Sequence, residues 1–554
     1  MSVDVESDGR RANGSAAASA EETLTVGSSN GTTALSAVVF SPIASVGLTP
    51  QAVHRLSEAI RAGLLAEGER LPPEAELSEQ FGISAMTLRE ALAELRELGY
   101  LETRRGRNGG TFVKHPPEPS ELDRKELSGA FEAKYFLDLA DYRRAVTSYA
   151  SGLAAERATP QDVDRISRSV DACEQAISRR EYLRQASLLH ITIAAATRSD
   201  RILREQTAVE MEANGALLAT AAVQHRRDVE VLFDDHTALL TAIREQNRRR
   251  ARLIASSHID RTSKIFSDPG AAAKRTGSDS DDGWAMLAAA PATEGSGLIA
   301  SDGDDVDIAG WPVIREVIFA PIGGEGLAHQ TVRRLADGIK IGLLKPGERL
   351  PRESQLSEML GISPLTLREA LATLRQSGLL ETRRGRGGGT FVKQTRAWPS
   401  VGEARKRLKS LTPRFLIDYT DFRNAIAGEA TALAAERAST EELLQIEKLA
   451  ATMSESQALP SYRQLDAAFH VQIATASRSS RLAASEAKLQ IEFGEIVHAL
   501  SLLFPKDRRP LLAASNNEHQ MITDAIRRRD PEGARAAAVA HGSRTCELLI
   551  SFYT

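Results

Sequence analysis

Apolar residues recur every three or four positions in two stretches of the chain that lie far apart. The first stretch has four of them, Val53, Leu56, Ile60 and Leu64. Because a helix turns about 100° per residue, this spacing places the four side chains on one helical face. The pattern predicts helices over residues 50–65 and 328–344, with Gly68 and Gly347 as stop signals.

A helix-turn-helix is predicted after each of these helices. Residues 73–81 suit a short helix, residues 82–83 suit a tight turn, and Ser84 is a cap residue for the next helix. That next helix contains Leu88, Leu92 and Leu95. In the second copy Pro364 follows Ser363 directly, and proline at a first helical position loses no hydrogen bond.

Each helix-turn-helix is followed by a strand pattern and then by long helical stretches. Residues 101–104 and 111–114 alternate as strands do, and the glycine-rich, basic segment between them predicts a hairpin, or wing. Stretches rich in Ala, Leu and Arg then extend to Ser267 and to Thr554. We therefore expect a mainly α fold, with two winged helix-turn-helix domains, each followed by an all-α helical bundle.

These elements occur twice because the sequence itself is repeated. Residues 71–114 return as residues 350–393 at a spacing of 279 residues, which is far beyond the period of a solenoid repeat and indicates a tandem duplication. The predicted segments are a disordered tail (1–36), a first winged helix (37–115), a first helical domain (130–267), an acidic flexible linker (268–315), a second winged helix (316–394) and a second helical domain (410–554).

Composition narrows the classes of protein that fit the chain. Its 554 residues carry a formal net charge of −4, which by itself argues against a nucleic-acid partner, but acidic residues concentrate in 1–22 and 278–307. Cys173 and Cys546 are too few for a disulfide framework or a cysteine zinc site. Since no apolar run has membrane-spanning length and no signal-peptide pattern is present, we expect cytoplasmic localisation and no membrane partner.

Polar residues of the predicted recognition helix and wing are the candidates for DNA contact. Thr bonds phosphates, Arg bonds guanine, and wing arginines on flexible glycines reach the backbone or a minor groove. The candidates are Thr87, Arg89, Arg104, Arg105, Gly106 and Arg107, then Thr366, Arg368, Arg383, Arg384, Gly385 and Arg386. A single basic hairpin is usually a solvated turn, but the features coincide in order twice, which favours nucleic-acid binding.

At these residues the chain resembles the winged helix of GntR-type transcriptional regulators. The shared motifs are Leu-Pro-x-Glu-x-x-Leu-Ser-Glu, Gly-Ile-Ser-x-x-Thr-Leu-Arg-Glu-Ala-Leu and Arg-Arg-Gly-Arg-x-Gly-Gly-Thr-Phe-Val, within residues 50–115 and 329–394. Two arginines common in the family are replaced here in both copies, so fewer polar contacts to bases are expected. Met86 and Leu365 either touch thymine methyl groups or pack at the start of their helices.

The second helical domain contains a candidate metal site. Asp466 and His470 are four residues apart, which puts them on one helical face at a spacing suited to one metal ion. A lone histidine on a helix is more often packed than bound to metal. The motif Asp-x-x-Phe-His and the later His519 and His541 resemble, however, the FCD ligand-binding domain of FadR-type GntR regulators. That resemblance implies four ligands for zinc or nickel, with open coordination positions for a small organic acid effector.

The first helical domain departs from this pattern. It retains His190, His236 and His258 but has Ala186 in place of the aspartate, so its metal site is weakened, altered or absent. Three imidazoles alone can still bind zinc. By resemblance, Arg143 and Arg423 point into the effector pocket, where a guanidinium suits a carboxylate; a surface salt bridge is the alternative.

The residues together favour a DNA-binding transcriptional regulator, most simply a repressor, that is controlled by a carboxylate effector and a divalent metal. Its partner is a double-stranded DNA operator. Because one chain contains both DNA-binding halves, it can act as an intramolecular pseudo-dimer, and further homodimerisation stays open. The alternatives are a metal-dependent enzyme, since such ligands can activate water, and an architectural DNA-binding protein without an effector.

Overall fold

The computed structural model describes residues 48–550 apart from 62–64, 66, 82, 107–108, 115–132, 176–178, 220–226, 268–326, 341–343, 345, 361, 386, 394–410, 457–458 and 504–508. The predicted tail and acidic linker lie outside the described residues, as do Arg107 and Arg386. In the part of the chain that is described, the predicted mainly α fold with two small β-wings is confirmed.

The first winged helix-turn-helix is formed by α1 (Leu48–Arg61), α2 (Glu74–Phe81), α3 (Ala85–Glu97), β1 (Leu101–Arg104) and β2 (Gly110–Val113). Ser84 caps α3 as predicted, because its hydroxyl accepts a hydrogen bond from the backbone N–H of Thr87. Gly68 is not the stop of α1, which ends at Arg61. Instead Gly68, with a φ of 76°, donates its N–H to the carbonyl of Val113, and so joins the wing.

The first helical domain follows, and its helices are α4 (Ala133–Arg157), α5 (Pro160–Gln175), α6 (Arg179–Ala196), α7 (Asp200–Ala219), α8 (Arg227–Arg244) and α9 (Arg248–Ser267). Helix α4 is central, since it contacts α6, α7, α8 and α9. Buried apolar side chains from these helices form the core of the domain.

The second repeat has the same order of elements. Its winged helix comprises α10 (Leu327–Lys340), α11 (Glu353–Leu360), α12 (Pro364–Gln376), β3 (Leu380–Arg383) and β4 (Gly389–Val392). Its helical domain comprises α13 (Pro413–Arg437), α14 (Thr440–Glu455), α15 (Leu459–Ala476), α16 (Ser480–Leu503), α17 (Arg509–Arg527) and α18 (Pro531–Ile550). As in the first copy, the helix α10 ends, at Lys340, before the predicted stop Gly347.

The two helical domains pack against each other through α4 and α13. Arg157 of α4 binds Asp421 of α13 at 2.6 Å, and Arg437 of α13 binds Asp141 of α4 at 2.9 Å. The same exchange of roles is seen in the pairs Arg201–Glu492 and Arg481–Glu212. Contacts that repeat with their partners exchanged are characteristic of a two-fold, isologous interface.

In each repeat, an apolar side chain at the same position of the helical domain packs against a cluster that contains the core of the winged helix. Helix α1 lies against α7, and Met211 of α7 packs against the core of the first winged helix. Ile491 of α16 occupies the same repeat position and packs against the cluster that includes Leu335 and Leu367. In the described part of the chain, no helix combines the length and the apolar composition that crossing a membrane requires.

Candidate DNA-binding surface and metal centre

The recognition helices α3 and α12 present an apolar side chain to solvent at their first turn. Met86 is 69% exposed and Leu365 is 76% exposed. Packing at the helix start is therefore excluded for both, and contact with thymine methyl groups stays a prediction. Thr87 lies beside Met86, and its hydroxyl shares a hydrogen bond with Ser84 at 2.8 Å.

Among the described residues of this surface, the contacts of the candidate arginines are local and exposed. Arg89 pairs with Glu74 at 3.0 Å, and Arg104 lies over the ring of Phe112 at 4.3 Å. The second copy repeats both contacts, in Arg368–Glu353 and Arg383–Phe391. Because an exposed ion pair contributes about 0–1 kcal/mol, these guanidinium groups can exchange their partners for phosphates at little cost.

The wing hairpin requires glycine at its turn. Gly106 has a φ of 113° and Gly385 a φ of 101°, a left-handed conformation that other residues rarely adopt. The adjacent Arg105 and Arg384 are exposed. The turn therefore exposes a basic side chain next to a glycine, and a residue with a Cβ atom in place of that glycine would strain the backbone.

In the second helical domain, four side chains from three helices converge. Asp466 and His470 lie on α15, His519 on α17 and His541 on α18. One ligand atom of each residue lies within 4.8 Å of the others, and all four residues are buried. Asp466 Oδ1 is 3.1 Å from His519 Nε2 and 3.9 Å from His470 Nε2. The structure thus brings together the four residues that the resemblance implied.

The donor set and its unsatisfied atoms fit a divalent metal ion. Among the described residues Nδ1 of His519 has no hydrogen-bond partner, which is costly for a buried polar group, and its Nε2 faces the carboxylate of Asp466. Burial lowers the pKa of His470 and His541 well below the usual value, so their rings are neutral. Burial alone would raise the pKa of Asp466, but Arg463 and the neighbouring histidines lower it. One carboxylate and neutral imidazoles are the form that metal binding needs.

Sequence analysis missed the carboxylates that orient two of the histidines. His541 Nδ1 is 2.7 Å from Glu518 Oε2, and His258 Nδ1 is 3.4 Å from Asp235 Oδ2. An acid on one ring nitrogen fixes the ring and directs the other nitrogen to the centre of the cluster. A signal was available, because in both copies this acid directly precedes a histidine of the cluster.

The first helical domain assembles only the imidazoles. His190, His236 and His258 converge within 4.8 Å and are buried, whereas Ala186 stands where the second domain has its aspartate. Burial lowers the pKa of His258 to about 4 and holds the pKa of His236 well below its usual value. Among the described residues neither nitrogen of His236 has a hydrogen-bond partner, and Nε2 of His190 also lacks one, so ring nitrogens are available for a metal ion at this cluster.

Arg143 and Arg423 are both buried beside their clusters. Arg143 Nη2 is 3.2 Å from His190 Nδ1, and Arg423 Nη2 is 3.5 Å from His470 Nε2. Their exposed fractions are 7% and 2%, so the alternative of a surface salt bridge is wrong. The two differ in one respect: Arg143 is paired with Glu210 at 2.9 Å, a carboxylate that sequence analysis did not identify.

Both kinds of domain match known families. Residues 48–113 and 327–392 match the family described as bacterial regulatory proteins, gntR family, and residues 138–261 and 418–544 match the FCD domain. The chain belongs to the GntR family. The resemblance found in the sequence is therefore confirmed, in two tandem copies of each domain.

Relatives of this GntR-family protein correspond to about one of its two repeats. A Mycobacterium gastri protein named as an HTH-type transcriptional regulator, RmpR, is 38% identical over 209 residues, which are 38% of this chain and 76% of the relative. An Escherichia coli K12 protein named for regulation of the L-lactate dehydrogenase operon is 33% identical over 36% of this chain and 76% of its own length. The Glc operon transcriptional activator of Escherichia coli K12 is 30% identical over 39% of this chain and 85% of its own length.

These matches decide the class of function. GntR-family proteins with an FCD domain are DNA-binding transcriptional regulators, and the interpretation as a metal-dependent enzyme is set aside. Double-stranded DNA is accordingly the partner of the two winged helices. The His/Asp cluster of the second domain and the His cluster of the first could each hold a metal ion.

Proposed function

We propose that this GntR-family protein is a repressor whose affinity for its operator falls when a small carboxylate binds in the second helical domain. The observation that supports the proposal is the buried Arg423 guanidinium. Its Nε atom has no hydrogen-bond partner among the described residues, and it lies beside the four-residue cluster. A buried cation without an ion-pair partner is costly, so a site for an anion explains its placement.

The metal would be held by Asp466, His470, His519 and His541. Zinc and nickel both accept carboxylate and imidazole ligands. When bound, the ion supplies a Lewis acid with a free coordination position for an effector oxygen. Arg423 then orients the carboxylate of the effector. The guanidinium carbon of Arg423 lies 5.0 Å from the centre of the Phe493 ring, a cation–π contact that helps to hold the side chain in place.

Helix α16 is the proposed connection between effector and DNA. It contains Phe493, which contacts Arg423, and Ile491, which packs against the cluster that includes the second winged helix. An effector that moves Arg423 therefore acts on the same helix that supports a DNA-binding domain. We expect effector binding to change the placement of this winged helix, which alters the fit to an operator with fixed half-site spacing.

One chain would occupy one operator. The reciprocal ion pairs between the helical domains, such as Arg157–Asp421 and Arg437–Asp141, resemble those of a two-fold dimer. A monomer with two winged helices can then bind one pseudo-palindrome, as two subunits do in other helix-turn-helix proteins. The DNA contacts proposed for each half are the recognition-helix and wing residues given above.

Selection of genomic fragments by the purified protein tests this function. We expect one enriched pseudo-palindrome, bound by one chain, with affinity reduced by a carboxylate such as L-lactate, which the name of one relative suggests. Asp466→Ala should abolish the response to the carboxylate and leave operator binding in place. If neither metal removal nor Asp466→Ala changes DNA affinity or its response to carboxylates, the architectural alternative is correct and effector control is wrong.

A further inference from the structure

The two effector pockets differ at a pair of positions on equivalent helices. Helix α7 of the first domain has Gln206 and Glu210, one turn apart, whereas α16 of the second has Glu486 and Gln490 at the same places, 280 residues later. The acid and the amide have exchanged positions between the copies. All four side chains are buried, so the exchange lies within the two pockets and not on the surface.

In the first domain, Glu210 forms a bidentate ion pair with Arg143. The guanidinium donates from Nε and from Nη2 to the two carboxylate oxygens, each at 2.9 Å. The hydroxyl of Ser187 donates to the same carboxylate at 3.1 Å, and the amide of Gln206 donates at 2.9 Å. A bidentate pair of this kind is the arrangement in which a guanidinium binds a carboxylate ligand.

In the second domain, the equivalent guanidinium is not neutralised in this way. No carboxylate among the described residues forms an ion pair with Arg423, and its Nε atom has no hydrogen-bond partner. Glu486 is bound by the amide of Gln490 at 2.8 Å, and its second oxygen has no partner. The donor Ser187 is also replaced, because Ala467 occupies its repeat position.

We infer that Glu210 is a built-in substitute for the effector carboxylate in the first domain, so that one chain has one effector site. The inference rests on the proposed function in taking Arg423 as the residue that binds the carboxylate of the effector. A free carboxylate must displace Glu210 to reach Arg143, and the displaced acid would remain buried without its cation. In the second domain the same ligand meets a guanidinium that forms no ion pair with a described residue, although the charge of the buried Glu486 is close enough to interact with it.

The position of Glu210 also connects this pocket to DNA binding. The next residue, Met211, packs against the core of the first winged helix. Glu210 is bound by Arg143, Ser187 and Gln206, and His190 Nδ1 lies 3.1 Å from its Oε1. With Glu210 fixed by these four side chains, the turn of α7 that supports this winged helix is held as a bound effector would hold it. The first half of the protein is thus permanently in the occupied arrangement, and only the second half responds to the effector.

Two exchange variants of the full chain test the inference. Gln206→Glu with Glu210→Gln gives the first domain the arrangement of the second, and Glu486→Gln with Gln490→Glu does the converse. Each variant, with added Zn²⁺, is titrated calorimetrically with sodium acetate, sodium L-lactate and sodium citrate, against sodium chloride of equal ionic strength. As a matched control, Glu205→Gln removes an acid of α7 that binds Tyr142 rather than Arg143.

We expect one carboxylate per chain for the wild type and for the control. The first exchange should raise this to two, and the second should reduce it to none. The inference is overturned if the first exchange binds no more carboxylate than the wild type, or if the wild type binds carboxylate and the second exchange binds as much. Should the first variant not fold by circular dichroism, the second decides alone.

If the proposed function is wrong, the amounts of carboxylate bound by the variants differ from those that would overturn the inference. If the wild type binds no carboxylate while the first exchange binds one, Glu210 is confirmed as the substitute, and the effector site assigned to the second domain is wrong. If the wild type and the first exchange both bind none, the inference itself is overturned.

Discussion

Glu429 is buried between the two helical domains and accepts hydrogen bonds from an arginine of each. Arg144 of α4 donates at 2.6 Å, Arg535 of α18 donates from the other side, and the Glu429 side chain is 1% exposed. Unlike the reciprocal pairs, this contact has no second copy, because the equivalent residues are Asn424 and Tyr149. Replacement by glutamine keeps the volume of the side chain but removes its charge.

The expected loss of folding free energy follows from the number of hydrogen bonds that Glu429 accepts and from their burial. Removing one partner of a buried ion pair costs about 3–5 kcal/mol. Here the loss is smaller, because the amide oxygen still accepts one bond and both arginines retain an acid, Asp260 and Glu532, at 42% and 49% side-chain exposure. We therefore expect Glu429→Gln to lower the free energy of unfolding of the paired helical domains by about 2–4 kcal/mol.

Hydrogen exchange of the α13 amides, followed in the full chain, measures this free energy locally. A loss of 2 kcal/mol accelerates exchange from the opened state by about 30-fold. Glu245→Gln, which removes an exposed acid that pairs with Arg250 within one helical domain, is the control and should change the free energy by less than about 0.5 kcal/mol. Equal effects of the two substitutions would refute the description of Glu429 as a buried link between the domains.

The loss of folding free energy caused by Glu429→Gln should depend on pH. Burial alone would raise the pKa of Glu429, but Arg535 and Arg144 lower it below the ordinary value of 4.5. An acid whose pKa is lowered by folding stabilises the folded protein above its ordinary pKa, and this contribution disappears as the pH falls through the lowered value. The difference between wild type and Glu429→Gln should therefore be constant near neutral pH and shrink on acidification below about pH 4.5.

Three further predictions concern DNA and metal. The logarithm of the affinity for operator DNA should fall less steeply with the logarithm of the salt concentration in Arg105→Gln and in Arg384→Gln. Each slope should decrease by about 0.9, which corresponds to one lost phosphate contact. Arg249→Gln, which changes an exposed arginine of the first helical domain, should leave the slope unchanged. Glu518→Gln, which frees the ring of His541, should weaken zinc binding about 10- to 100-fold in a competition with a chelating dye. Ala186→Asp should raise bound metal, measured by atomic absorption, toward two ions per chain; unchanged stoichiometry means that the missing aspartate is not what limits the first site.

The elements and the metal cluster were predictable from the sequence because each has a local signal. Ser84 and Pro364 mark helix starts, and helical periodicity fixes the faces that are buried. The histidines were found through a motif and its separations, and the structure places all four candidate ligands of the second domain within 4.8 Å. The helix ends were less well predicted, since Gly68 serves the wing and not α1.

The sequence by itself determined that this chain is a duplicated, mainly α DNA-binding protein of the GntR family. Such properties depend on repeated motifs and on periodicity, which are local along the chain. Only the tertiary structure decided that Glu210 neutralises Arg143, that Arg423 has no such partner among the described residues, and that Glu429 lies between the domains. These contacts join residues 67 and 285 positions apart in the chain, and the packing of α4 against α7 and α13 brings them together. Whether a buried charge is paired or free is therefore set by the fold and not by any local pattern.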